Sequence, residues 1–269
     1  MLHTQVYSPP DPVGPTILAI HGLTGHGARW ASLAQGHLAD RRVVAPDLLG
    51  HGRSTWAPPW GIADNVDALG EVIDALIPAD ERPCIVVGHS YGGAIAVHLA
   101  HRRPDDVAAL VLLDPAQGLD PEFALQVATD GLAHWDYADA EAAKSAKRAE
   151  GWAQIPDEIL ESEVTEHLVI DGDRARWRVC APAAATAWSE MSRPSVLPPP
   201  GIPTTVVVAD RVSPPFVRPD FLDGCAAHPE SVRIRHVDCD HMVPLERPEL
   251  TAELIGSAVW TQSAWTPEG

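Results

Sequence analysis

Short apolar runs, rich in β-branched residues and bounded by Gly, Pro or Asp, punctuate the chain at 16–20, 42–45, 84–87, 107–113, 204–208 and 232–237. Unbroken apolarity over so few residues predicts strands buried on both faces. Between them, 28–39, 65–76, 92–101 and 248–260 read as helices. Strand alternating with helix predicts an α/β fold with a mostly parallel, doubly wound sheet.

The rhythm breaks from about 121 to 193. No strand-like run is visible there, and the stretch is rich in Ala, Glu and Trp, including Trp135, Trp152, Trp177 and Trp188. Pro198-Pro199-Pro200-Gly201 then returns the chain to the sheet. The pattern predicts a helical insertion over one sheet edge, dividing the chain into 1–116, 117–200 and 201–269. The other reading, a second independent domain, is weakened by the lack of an obvious core of its own.

The run at 84–87 leads into Gly88-His89-Ser90-Tyr91-Gly92-Gly93, with a helix after it. G-x-S-x-G between strand and helix marks a tight turn that lifts a serine hydroxyl out of the sheet, over a helix N-terminus that favours developing negative charge. The bare pattern is weak, since a Gly-Ser turn has the same spelling; its placement is what gives it weight. Two further motifs accompany it: His21-Gly22-Leu23-Thr24-Gly25 after the first run, and Asp47-Leu48-Leu49-Gly50-His51-Gly52-Arg53-Ser54 after the second.

These motifs in this order, with Asp240-His241 near the C-terminus, resemble the α/β-hydrolase fold family over nearly the whole chain. The resemblance implies that fold with an inserted helical cap, Ser90 as nucleophile, and the backbone N–H groups of Leu23 and Tyr91 as oxyanion-hole donors. It also implies His241 as general base, following the last strand; His236 competes but lies inside that run. His21, His51 and His89 read as structural braces. The short stretch before 16 implies that the family's leading antiparallel strands are reduced.

The acid admits two readings. Chain order in the family is Ser, acid, His. Most members place the acid a few residues past the strand that follows the cap, which here falls near Val212; Asp210 is about two residues early. A minority place it directly after the strand that follows the nucleophile helix, where Asp114 stands. Asp114 is therefore the expected acid and Asp210 the alternative, though each also suits a turn or a cap.

A serine nucleophile, unlike the aspartate of dehalogenases and epoxide hydrolases of this fold, favours acyl transfer. The expected function is a serine hydrolase of carboxylesterase type, cleaving a small carboxylic ester or related acyl compound. Trp56, Trp60, Trp135, Trp152 and Trp188 are candidates for an apolar or aromatic substrate pocket, each with packing as its alternative role. Other readings are a C–C bond hydrolase of a meta-cleavage pathway, a cofactor-free perhydrolase, or a triad-bearing small-molecule receptor or signalling protein. Among these, fold-level analogy does not choose.

Composition narrows the partners. A formal charge of −18 argues against nucleic acid or an anionic membrane. The only lysines are Lys144 and Lys147, both inside the expected insertion. Cys84, Cys180, Cys225 and Cys239 are scattered without a CxxC, and His98 and His101 lack a carboxylate to complete a metal site. No metal and no cofactor are expected. With no signal-like N-terminus and no long apolar run, the expected location is cytoplasmic. The oligomeric state is left open.

Overall fold

The computed structural model describes residues 1–259. In chain order its elements are β1 (Thr4–Tyr7), β2 (Ile17–Ile20), α1 (Ala31–Gly36), β3 (Val43–Pro46), α2 (Ile62–Leu76), β4 (Cys84–His89), α3 (Tyr91–Arg102) and β5 (Val107–Leu113). An inserted segment follows, with α4 (Pro121–Ala133), α5 (Ala140–Lys147), α6 (Asp157–His167), β6 (Leu168–Asp171), β7 (Arg174–Trp177) and α7 (Ala181–Met191). After it come β8 (Thr204–Ala209), α8 (Pro219–Ala226), β9 (Val232–Val237), α9 (Val243–Glu246) and α10 (Pro248–Gly256).

One sheet has the order β1-β3-β2-β4-β5-β8-β9, parallel throughout except for β1, which pairs antiparallel with β3 at the edge. Both faces are covered, which is why its inner strands are apolar without alternation. Along β5, Leu110 and Leu112 join the core under α2, α3 and α8, while Ala109, Val111 and Leu113 join the opposite core with Leu33 of α1 and Leu254 of α10. The strands run in parallel, so the loops after β2, β4, β5, β8 and β9 share the carboxyl end of the sheet, where doubly wound folds bind ligands.

Several expected elements change shape. The stretch 28–39 splits into a 3₁₀ turn, Gly27–Trp30, followed by the short α1. Helix α2 begins earlier than expected because Asp64 Oδ2 accepts from Gly61 N at 2.9 Å and caps it. Helix α10 stops at Gly256; Trp260, the expected last residue, lies outside the described residues.

The expectation of an insertion without strands is corrected by β6 and β7, an antiparallel hairpin pairing Leu168 with Trp177 and Asp171 with Arg174. Each strand is only four residues long. Ala175 and Trp177 are buried while Arg174 and Ile170 are exposed, a half-buried pattern too short to stand out from helical background. Gly172, at φ +63, makes its turn.

Helix α7 packs along α4 and touches α3. A second contact with the rest of the chain is apolar: Trp152, Ile155 and Leu160 of the insertion cluster with Met242 and Leu245.

Candidate active site

The strand-to-helix turn after β4 is tight enough that only glycine fits around it. A Cβ on Gly88 would lie 2.4 Å from the Gly92 carbonyl oxygen, and one on Gly92 would lie 2.5 Å from that of His21. Ser90, at the apex, takes φ 54 and ψ −121, a conformation L-residues rarely adopt and which structure around it must hold. Its N–H donates to Leu113 O at 3.0 Å, and its carbonyl accepts from Gly93 N at 2.9 Å and Ala116 N at 3.1 Å. Tyr91 opens α3, so its N–H belongs to the helix end whose donors lack intrahelical partners.

The loop after β2 presses against this turn. A Cβ on Gly22 would lie 2.9 Å from Ser90 Cβ and from His89 Nδ1, so the residue before Leu23 abuts the turn that carries Ser90. His21 braces the loop from inside: Nδ1–H donates to Gly22 O at 2.8 Å and Nε2 accepts from Leu48 N at 2.9 Å. Burial, with His51 beside it, holds His21 neutral, well below the ordinary histidine range. Asp47 ties the loops after β2 and β3 together, accepting from Gly27 N at 2.6 Å and Arg53 N at 2.7 Å. The Asp47–Ser54 motif is thus scaffolding for the loop that carries Leu23.

The two candidate acids separate clearly. Asp114, buried at the end of β5, has Oδ2 2.6 Å from His241 Nδ1, while its Oδ1 accepts from Ala209 N at 3.1 Å. Its φ of +46 turns the carboxylate across the sheet end. Asp210 instead bonds His236 Nδ1 at 2.8 Å, and both side chains are about half exposed. The two alternatives from sequence have paired with each other, away from Ser90. Val212 packs against the α1-side core and offers no polar group.

His241 stands among rings. His89 donates Nε2–H to the His241 carbonyl at 2.8 Å, and their ring centroids are 4.7 Å apart. Burial, and the neighbouring His241, push His89 well below its ordinary range, so it stays neutral. Phe216 lies 4.5 Å from the His241 ring, and Phe123, Trp188 and Phe216 contact one another at 6.1 to 6.5 Å. A Cβ on Gly151 would sit 3.9 Å from His241 Cβ, so a turn of the insertion covers the histidine.

Of the five candidate tryptophans, Trp188 joins that aromatic group. Trp135 packs with Tyr137 against the cluster of Trp177 and Val179 that Leu23 also touches. Trp56 and Trp60 donate to Gly52 O and Trp56 O, holding the loop after β3. Trp152 is buried with Met242 and Leu245, beneath Arg29 and Lys147. Phe123 and Phe216 escaped the sequence reading. The chain has only three phenylalanines, and a signal did exist: Phe216 lies in the loop leaving the carboxyl end of β8.

Among the described residues, no group of three His, Cys, Asp or Glu side chains is placed to hold a metal ion, and no helix is long and apolar enough to cross a membrane.

Residues 17–254 match the model of the alpha/beta hydrolase family. The chain is 45% identical over 258 residues to lipase LipV of Mycobacterium tuberculosis, covering 95% of this chain and 97% of that one. Among solved structures, E-2-(acetamidomethylene)succinate hydrolase superposes with a TM-score of 0.77 at 21% identity, covering 96% and 94% of the two chains. A thermophilic esterase from Thermogutta terrifontis superposes with a TM-score of 0.69 at 20% identity, covering 95% and 92%. At these identities the two structures speak for the fold.

Proposed function

The chain belongs to the alpha/beta hydrolase family, and from that premise we propose that it hydrolyses a small carboxylic ester through an acyl-enzyme on Ser90. The observation that carries the reading is the 2.6 Å contact between buried Asp114 and His241 Nδ1, at the sheet end where Ser90 is held in its strained turn. Asp114 fixes the tautomer that leaves Nε2 free to accept a proton.

In this reading Ser90 Oγ attacks the ester carbonyl as its proton passes to His241 Nε2. The carbonyl oxygen becomes an oxyanion, received by the N–H groups of Leu23 and Tyr91. Collapse breaks the C–O bond, and the leaving alkoxide takes the proton from His241. Water then attacks the acyl-enzyme by the same route, giving the carboxylic acid and free Ser90. No step calls on a metal or organic cofactor.

The Phe123–Trp188–Phe216 group beside His241 supports an apolar or aromatic acyl moiety, and the turn at Gly151 supports a lid role for the insertion. The lipase name of the relative agrees with ester substrates.

A fluorophosphonate probe, with a panel of p-nitrophenyl esters of increasing chain length, tests the reading. One residue is expected to be labelled, with labelling and turnover both abolished in Ser90→Ala. Equal labelling of that variant ends the acyl-enzyme reading.

A further inference from the structure

The insertion drives a carboxylate into the core side of the molecule. Glu163 of α6 has a side chain only 2% exposed. Arg29, in the turn after β2, grips both its oxygens, Nη2 to Oε1 at 2.5 Å and Nε to Oε2 at 3.2 Å. His26 Nε2 lies 3.0 Å from Oε2, and Lys147 Nζ, equally buried, ion-pairs at 3.2 Å. Lys147 also stands 4.0 Å over the Trp177 ring. Burial alone would raise Glu163, but Arg29, Lys147 and His26 hold it ionised, well below the ordinary carboxylate range.

Stability is a poor account of such a cluster. Ions taken out of water repay little of their desolvation, and apolar side chains of similar size often serve as well. The remaining donors of the cluster point to a different role. Arg29 Nη2 also donates to the Thr24 carbonyl at 3.0 Å. His167, one helical turn past Glu163, donates Nε2–H to the same oxygen at 3.1 Å, with its ring stacked 4.3 Å from His26. Thr24 is the residue that needs holding: it is β-branched and sits at φ +58, where such residues are outliers. It directly follows Leu23, in a turn closed by Gly25 N to Gly22 O at 3.0 Å. Gly25 must be glycine because a Cβ would lie 2.8 Å from Gly22 O and 2.9 Å from the Arg29 guanidinium.

We infer that Arg29, anchored by Glu163 of the insertion, is a positioning residue that clamps the strained Thr24 peptide and so aims the Leu23 N–H at the oxyanion. This rests on the Ser90 acyl-transfer reading. It makes the insertion part of the rate as well as of substrate choice: seating α6 sets the geometry of a loop on the sheet. Arg29 suits the task because its planar fork bonds both oxygens of the carboxylate and the carbonyl together in one fixed geometry, which a freely rotating ammonium does not impose.

The test is steady-state hydrolysis of p-nitrophenyl butyrate by the parent, Arg29→Ala, Arg29→Lys and Glu163→Gln, with kcat expressed per serine titrated by fluorophosphonate. That normalisation removes any unfolded fraction. Removing an oxyanion donor costs about 10²–10³ in kcat; a misaimed donor is expected to cost roughly tenfold or more in Arg29→Ala and Arg29→Lys, less in Glu163→Gln, with KM little changed. Guanidinium ion is expected to restore part of the Arg29→Ala rate, beyond any effect of sodium at equal ionic strength. Parental kcat in all three variants, or a loss confined to KM, overturns the inference while leaving the Ser90 reading intact. If Arg29→Ala yields no titratable serine, Arg29→Lys and Glu163→Gln decide by the same criteria. A parent that neither labels nor turns over sinks both readings together.

Discussion

At the scale of single residues, Asp114 uses each oxygen differently, one for His241 and one for Ala209 N. In Asp114→Asn the amide keeps the shape but presents a donor to Nδ1 and favours the wrong imidazole tautomer. We predict a fall in kcat on the order of 10⁴ with little change in the folded state. Asp210→Asn breaks only the exposed pair with His236 and is expected to leave kcat near the parental value; a large loss there, with a near-normal Asp114→Asn, would reverse the assignment. Gly22 offers a second residue-scale check. An added methyl would collide with Ser90 Cβ and His89 Nδ1 at 2.9 Å, so Gly22→Ala is expected to push the loop back. It should lower kcat by roughly 10²–10³ in p-nitrophenyl ester hydrolysis, the cost of losing one oxyanion donor. The strand-to-helix turn at Ser90 and the loop at His241 after the last strand are legible because each has a local spelling of its own. The choice of Asp114 over Asp210 rested on a residue that was missing, since Val212 fills the usual slot. Nothing in the sequence foretold that Asp210 would take His236, because strand register sets that pairing.

At the scale of elements, the sheet was legible wherever both faces were covered, because continuous apolar runs need no partner to be recognised. Elements that depend on partners were not. The strands of the β6–β7 hairpin bury only two of their eight residues, and β1, Thr-Gln-Val-Tyr, is an edge strand paired only with β3. The aromatic group by His241 likewise draws one ring from each of three elements: α4, α7 and the loop after β8. No spacing along the chain brings Phe123, Trp188 and Phe216 together. Their arrangement predicts selectivity. Removing one ring forfeits about 1.5 kcal/mol or more of apolar burial, roughly tenfold in kcat/KM. Trp188→Ala and Phe216→Ala are therefore expected to shift preference towards longer or bulkier acyl chains in the ester panel, while fluorophosphonate still labels Ser90. Unchanged chain-length profiles in both variants would remove these rings from the pocket.

At the scale of the whole molecule, acid sensitivity follows from histidines scattered in sequence and buried in space. His21, His51, His89 and His167 are each no more than 3% exposed. Burial pushes all of them below the ordinary value of 6.5, His51 to about 4 and the other three well down. Unfolded, they bind protons once the pH drops below 6.5; folded, they refuse them. The unfolded chain therefore holds more protons over that interval, and unfolding free energy rises with pH there. The stabilisation is fully present above 6.5 and drains away as the pH falls towards 4, where His51 itself begins to titrate in the folded state. Each such group contributes a slope of up to about 1.4 kcal/mol per pH unit, so a few acting together rival the whole stability of an ordinary domain. Glu163, also held below its ordinary value, extends the loss further into acid as its clamp of cations must be given up. Thermal unfolding between pH 8 and 4 is expected to show a flat midpoint above pH 7 and a steep decline below about 6. His51→Gln, which removes one titrating ring next to His21, is expected to make that decline shallower even if it lowers the midpoint at neutral pH. A midpoint that held constant down to pH 4.5 would mean that these rings are solvated or paired in the folded protein.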